Sequence, residues 1–246
     1  MVIALLADIH GNLEALNACL KHARDNGAGR HAFLGDFVGY GADPQEVVGA
    51  IARCRTEGAV VVKGNHDDAI EKRAGYMNDS AKDSIEWTRK ALTSESREFL
   101  AELPLVVREG PICYVHASAA SPSRWYYVDT PAAARRSVEA AQSTYTFSGH
   151  VHEQVLYFEG SPGKWSAFQP TPGSPVPMAG HRRWLALVGS VGQPRDGRVA
   201  AGYALFDPAR GQLTFHRVAY DHLAAARKIR QAGLPEGHAY RVEKGI

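Results

Sequence analysis

The 246 residues include 28 lysines and arginines against 26 aspartates and glutamates, a net charge of +2 with neutral histidines. That near balance lacks the basic excess of a dedicated nucleic-acid binder, and 45% hydrophobic with 22% charged residues describes a globular chain with a sizeable core, not a disordered one. Three cysteines, Cys19, Cys54 and Cys113, are odd in number and widely spaced, which argues against a disulfide framework or a thiolate zinc site and reads as reduced core residues.

The opening residues 1–7 are apolar but short, lack a basic n-region and run straight into Asp8, so neither a signal peptide nor a membrane span is expected. A cytoplasmic location is the default expectation. VIALLA at 2–7 is a continuous apolar run of the kind found in strands buried on both faces. Leu13, Leu16, Leu20 and Ala23 then recur at helical spacing and Gly27 supplies a stop. The pattern repeats with HAFLG at 31–35, a helix over about 44–53 and AVVVKG at 59–64, an alternation that predicts crossovers feeding a parallel sheet.

Residues 66–102 are polar and helical in pattern and are expected to form a helical cap or insertion. PLVVREG at 104–110 and ICYVH at 112–116 read as a hairpin around the Gly110-Pro111 turn signal. A helix starts at Pro131 and runs to about Ala141, followed by strands TYTFSG at 144–149 and QVLYFEG at 154–160. The stretch 161–181 carries five prolines, Pro162, Pro170, Pro172, Pro175 and Pro177, and is expected to be a long loop, with a place over an active site in view. WLALVGS at 184–190, GYALFD at 202–207 and QLTFHRVAY at 212–220 read as strands of a second sheet, and Asp221 caps a final helix to about Gln231.

Chemistry-bearing residues fall at the ends of these strands. Asp8 and His10 follow the first, two residues apart and able to point to one side. Asp36 follows the second, Asn65, His66 and Asp67 the third, His116 ends ICYVH, and His150 and His152 follow TYTFSG. The carboxyl ends of strands are where open α/β sheets place their ligands, and five of the eleven histidines lie there. The remaining six, His22, His31, His181, His216, His222 and His238, are assigned ordinary structural roles. Mixed imidazole and oxygen donors suit zinc, iron or manganese, whereas an all-oxygen set suggests magnesium or calcium.

Asp8-Ile9-His10, Gly35-Asp36, Gly64-Asn65-His66-Asp67, His116 and Gly149-His150-Val151-His152 resemble, in order, the five blocks of the calcineurin-like metallophosphoesterases. Within that superfamily the chain is similar to the branch related to diadenosine tetraphosphatase and the serine/threonine phosphatases, through ADIHGN, GDFVGYG, KGNHD and GSVGQPRDG. The resemblance spans nearly the whole chain. It implies a single domain with a four-layer α/β/β/α sandwich of two packed mixed sheets flanked by helices. It also implies a dinuclear centre of divalent transition metals, with Asp8, His10 and His152 on one ion, Asn65, His116 and His150 on the other, and Asp36 bridging. His66 then remains as general acid. Two such ions about 3.5–4 Å apart lower the pKa of a bridging water and hold phosphoryl oxygens for in-line attack.

Two departures bear on substrate. Gly39 and Tyr40 stand where the protein phosphatases carry an Asp and a phosphate-gripping Arg, which argues against protein phosphatase or dinucleoside polyphosphate hydrolase activity; Ala117 replaces the usual Gly after His116. Arg124 and Arg195 are candidates to replace the missing guanidinium, with Tyr40 beside them as a substrate-binding residue, and Trp125, Tyr126 and Tyr127 could stack on a base or simply pack. The expected activity is hydrolysis of a small phosphodiester or phosphomonoester. A nuclease is the rival enzyme, disfavoured by the charge, and a non-catalytic metal-binding scaffold is the rival of another class. A homo-oligomer is compatible with the sequence.

Overall fold

A computed structural model describes residues 1–72 and 77–246. The expected cap over 66–102 spans residues 73–76, which lie outside the described residues.

The first third alternates as expected: β1 (Val2–Leu6), α1 (Leu13–Asp25), β2 (Ala28–Phe33), α2 (Pro44–Thr56) and β3 (Val60–Val61), with the three strands paired in parallel. Asn12 starts α1 by accepting the Ala15 amide at 3.1 Å, and Pro44 opens α2, where its missing N–H costs no helical bond. α3 (Asn65–Asp68), α4 (Asp79–Ala91) and α5 (Ser94–Ala101) follow; Asn78 and Thr93 cap the latter two. Ile85, Leu92 and Leu100 from this region share one buried cluster with Leu6, Leu16, Phe33 and Val47, so α4 and α5 pack on the outer face of the same sheet as α1 and α2.

Next come β4 (Val106–Glu109) and β5 (Ile112–Val115), antiparallel across the Gly110-Pro111 turn, then α6 (Pro131–Ala141), β6 (Tyr145–Ser148), β7 (Gln154–Ser161), β8 (Lys164–Phe168), β9 (Pro175–Pro177), β10 (Trp184–Val188), β11 (Ala201–Asp207), β12 (Gln212–Val218), α7 (His222–Gln231) and α8 (Glu236–Lys244). They complete two mixed six-stranded sheets, in the orders β3-β2-β1-β11-β12-β9 and β4-β5-β6-β10-β7-β8. Alternation along β1 sets the layers. Ile3 and Leu5 point into the inter-sheet core with Phe206, Phe215, Tyr114, Phe147 and Leu156, while Ala4 and Leu6 face α1 and α2. On the far side Leu185, Leu187 and Tyr157 pack against Ala134 and Val138 of α6. The order is therefore helices, sheet, sheet, helix.

Three expectations are corrected. Of the three late strands assigned to a second sheet only β10 lies there; β11 inserts antiparallel beside β1 and carries β12 with it into the first sheet. Residues 161–181 are not one long loop, because they hold β8 and β9. Both are edge strands, and Pro175 and Pro177 are tolerated in β9 since its only neighbour is β12. No described residue of that segment lines the cavity at the candidate centre. Finally, α7 is not the last helix: α8 follows it, and the two pack through Ala226, Ile229, Ala239 and Val242.

Candidate metal centre

Asp8 and His10 lie just beyond β1, Asp36 beyond β2, Asn65 and His66 in the first turn of α3, His116 beyond β5, and His150 and His152 beyond β6. The structure thus brings all seven expected ligands, and His66, to one edge where both sheets present strand ends. Asp8, His10, Asp36, His150 and His152 all have φ between +50° and +70°. A non-glycine residue held in that region costs on the order of 1–3 kcal/mol and persists only where its surroundings over-determine it. Here backbone bonds between the loops do so: Asp8 N–H to Gly35 O at 3.0 Å, His10 N–H to Asp36 O at 2.9 Å and Gly149 N–H to His116 O at 2.9 Å. Two motif glycines are required by contact. A Cβ on Gly64 would lie 2.2 Å from Asp36 Oδ1, and one on Gly149 would lie 2.6 Å from Asp8 Oδ2.

The side chains form two groups around Asp36. In one, His10 Nε2 lies 3.1 Å from His152 Nε2, and His152 Nε2 lies 3.5 Å from Asp8 Oδ1. In the other, His116 Nε2 is 3.0 Å from Asn65 Oδ1 and 3.2 Å from His150 Nδ1. Asp36 Oδ2 faces both, at 3.8 Å from His10 Nε2 and 3.3 Å from His116 Nε2. The Nδ1 atoms of His10, His116 and His152 sit against the carbonyl oxygens of Val38 (3.2 Å), Leu34 (2.8 Å) and Gln193 (2.6 Å). Each therefore carries a proton on Nδ1 and directs Nε2 inward, bare in the neutral rings of His10 and His152, the arrangement in which an outer carbonyl orients a metal-binding imidazole. Two facing lone pairs, such as those of His10 and His152, are held favourably only with a cation between them, so these residues fit the metals that the donor set suggests.

Burial dominates the electrostatics. It lowers His10 and His152 well below the usual imidazole value, His66 to about 4 and His150 to about 3, keeping these rings neutral. It pushes Asp8 up to about 7. Burial would also raise Asp36, but the imidazoles of His116 and His66 outweigh it and hold that carboxyl well below its ordinary value. His116, facing the same carboxylate, is carried to about 9 against the opposing effect of burial.

Asp67, without an assigned role in the sequence motif, is part of the site. Its carboxylate accepts the amides of Asp36, Phe37 and Gly64, each at 2.9 Å, and so clamps the loop after β2 to the loop after β3. Its place in GNHD was the available signal.

The centre forms the floor of a cavity of about 570 Å³. Tyr40, Arg124 and Arg195, the three expected substrate-binding residues, all line it, as do His66 and Tyr127. The Tyr40 ring lies 4.6 Å from that of His10 and 4.5 Å from that of His66. Tyr127 stacks on His150 at 4.2 Å and 26°. Arg195 donates to Gln193 Oε1 at 3.0 Å and lies beside the Tyr40 hydroxyl.

The chain belongs to the calcineurin-like phosphoesterase superfamily: residues 1–211 match the family model for that domain. It is 33% identical over 246 residues to an uncharacterized protein of Methanocaldococcus jannaschii, covering 96% of this chain and 94% of the relative. Among solved structures it is similar to a metallophosphoesterase from Sphaerobacter thermophilus, with a TM-score of 0.89, 33% identity and coverage of 100% and 99% of the two chains. A hypothetical protein from Pyrococcus horikoshii shares the fold at a TM-score of 0.78 and 22% identity, over 100% and 98%. Among the described residues no helix is long and apolar enough to cross a membrane.

Proposed function

We propose that this protein is a metal-dependent phosphoric ester hydrolase acting on a small phosphodiester or phosphomonoester, such as a nucleotide or similar metabolite, within a single domain. The observation that supports it most directly is the pair of ligand groups, Asp8, His10 and His152 and Asp36, His116 and His150, whose donor atoms lie within 4.8 Å of one another in each group at the base of an arginine-lined cavity. Asp8, His10 and His152 would hold one ion, Asn65, His116 and His150 the other, and Asp36 would touch both. Manganese, iron or zinc bound there supplies Lewis-acid polarisation of a phosphoryl oxygen and a lowered water pKa.

The chain's own residues do the rest. Arg195 and Arg124 bind non-reacting phosphoryl oxygens and orient the ester. His66, on the cavity wall, is neutral without substrate; the negative charge of a bound phosphoryl group beside it favours its imidazolium form, which gives a proton to the departing alkoxide oxygen, and Tyr40, against its ring, restricts where it points. Arg195 beside Tyr40 returns a guanidinium to the wall where the resembling protein phosphatases carry one, and this favours a phosphomonoester as a second substrate class alongside diesters.

Protein loaded with manganese is to be screened against phosphomonoesters, diesters, cyclic nucleotides and dinucleoside polyphosphates. Turnover should disappear on chelation and return with manganese. Full activity after demetallation, verified by elemental analysis, overturns the metal-dependent reading; stoichiometric metal without turnover on any ester points instead to a binding scaffold.

A further inference from the structure

His238 stands 172 residues from His66 in the chain, on α8 and beyond the residues that match the family domain, yet it reaches the centre through one intermediary. Its ring packs on Tyr40 at 4.6 Å and 36°, on the ring that also meets His10 and His66. Tyr40 has φ +67°, a left-handed conformation that a bulky residue rarely keeps without support. Its amide donates to Ser84 Oγ at 2.6 Å, and the preceding Gly39, with φ +82°, has no room for a side chain: a Cβ would lie 2.5 Å from His66 Nδ1. The Gly39-Tyr40 turn is thus wrapped directly on His66.

His238 is itself fixed. Its Nε2 lies 3.0 Å from Ser80 Oγ and 3.2 Å from Ser80 O, next to Asn78 and Ala81, which line the cavity. The end of α8 also meets the loop that carries Arg195. Gly197 N–H donates to Gly245 O at 2.8 Å, two residues from Arg195, and a Cβ on Gly245 would lie 2.5 Å from Arg198 O.

We propose that α8 is part of the working site and that His238 is a positioning residue, holding Tyr40 against His66 so that the His66 ring keeps one orientation toward the cavity. This rests on the proposed role of His66 as proton donor, but the contact itself is independent of that role. His238 meets His66 through the Tyr40 ring and also lies near enough to act on it electrostatically, which the isosteric loss of charge in His238→Phe separates from packing.

The test compares His238→Ala and His238→Phe, which keeps a ring of similar size but loses the Ser80 bonds, with the wild type, all loaded with manganese. Hydrolysis is measured on two esters of the same phosphoryl group, one with a p-nitrophenolate and one with a simple alcohol as leaving group. His238→Ala should lower kcat on the alkyl ester by about 10- to 100-fold, the scale on which a displaced catalytic group costs rate, lose much less on the p-nitrophenyl ester, and leave KM and manganese content unchanged. His238→Phe should recover most of the loss. In demetallated samples of the same three proteins, NMR of histidine-labelled chains, with His66 assigned by His66→Asn, should show the His66 ring signals displaced in His238→Ala and near their wild-type positions in His238→Phe. Unmoved His66 signals in His238→Ala, equal losses on both esters, or a Phe variant no better than Ala would each overturn the positioning role. A wild type that turns over neither ester refutes the proposed function instead, and the NMR comparison still decides the contact.

Discussion

The amide of His66 donates to Asp36 Oδ1 at 2.8 Å, while the other oxygen of that carboxylate faces His116 Nε2 and His10 Nε2. One side chain thus ties the backbone of the proposed acid to the point shared by both ligand groups. Asp36→Asn keeps an oxygen for the His66 amide but gives up the negative charge that both groups face. The expected outcome is a fall from two metals per chain to one or none, with kcat reduced by about 10²-fold or more, since even outer partners of metal ligands are worth 10–100-fold. Good and poor leaving groups should suffer alike, as elemental analysis beside steady-state kinetics will show.

His66→Asn separates differently. Both metals should remain, with hydrolysis slowed by roughly 10²–10⁴-fold, the usual cost of losing a general acid. An ester that leaves as a stable phenolate needs little protonation and should lose far less than an alkyl ester. Equal losses with unchanged metal content would reduce His66 to a positioning residue.

Arg195→Ala removes a cavity-lining guanidinium next to Tyr40. A charged hydrogen bond contributes about 1.5–3 kcal/mol, so kcat/KM should fall roughly 10- to 150-fold. Arg195→Lys should recover only part of this, because an ammonium does not present the planar fork. Small diesters should remain better substrates than phosphoserine peptides in the wild type; faster turnover of the peptides would refute that preference.

Asp67→Ala should damage stability more than chemistry. It leaves the buried amides of Asp36, Phe37 and Gly64 without their acceptor, and an unsatisfied buried donor costs about 1–3 kcal/mol. The variant should unfold at clearly lower denaturant than wild type in metal-free buffer, by about 3 kcal/mol or more on that scale. A midpoint within error of wild type would show that the clamp is dispensable.

For the metal-free protein, stability should rise with pH between about 4 and 6.5. Burial lowers His10 and His152, and takes His66 to about 4 and His150 to about 3, so the unfolded chain takes up four protons near its value of 6.5 that the folded chain refuses. Stability from these groups is complete above the unfolded value and is lost as pH falls. Asp8 and Asp67, raised to about 7 chiefly by burial, oppose this with two protons retained by the folded chain. His116 contributes in the other direction and at higher pH: its stabilisation is complete below about 6.5 and is lost as pH rises from there through about 9. The four imidazoles outnumber the two carboxyls, and His216, taken to about 4 chiefly by burial, adds to the rising slope; urea midpoints taken across this range will test it, and a flat or falling profile would contradict the assignment of neutral buried imidazoles.

Much of the site was legible because each chemical residue directly follows the strand that delivers it. Apolar runs such as VIALLA and YTFS end at the rim of a sheet by the length of the strand alone, and the residues after them must emerge there. Gly64 and Gly149 mark where one loop crosses another too closely for a Cβ. Those relations are local and survive in a linear reading.

What the sequence could not decide was which strands become neighbours. WLALV, AGYALFD and QLTFHRV are all apolar and all buried on at least one face, and hydrophobicity reports burial without naming the partner. Only packing both faces of β1 placed β11 beside it and left β9 and β8 at the edges, where prolines or polar residues are tolerated. For the same reason the sequence determined His10, Asp36 and His66 as a group but not His238, whose approach to Tyr40 depends on α7 and α8 folding back over the first sheet's helical layer, a contact between segments that share no local pattern.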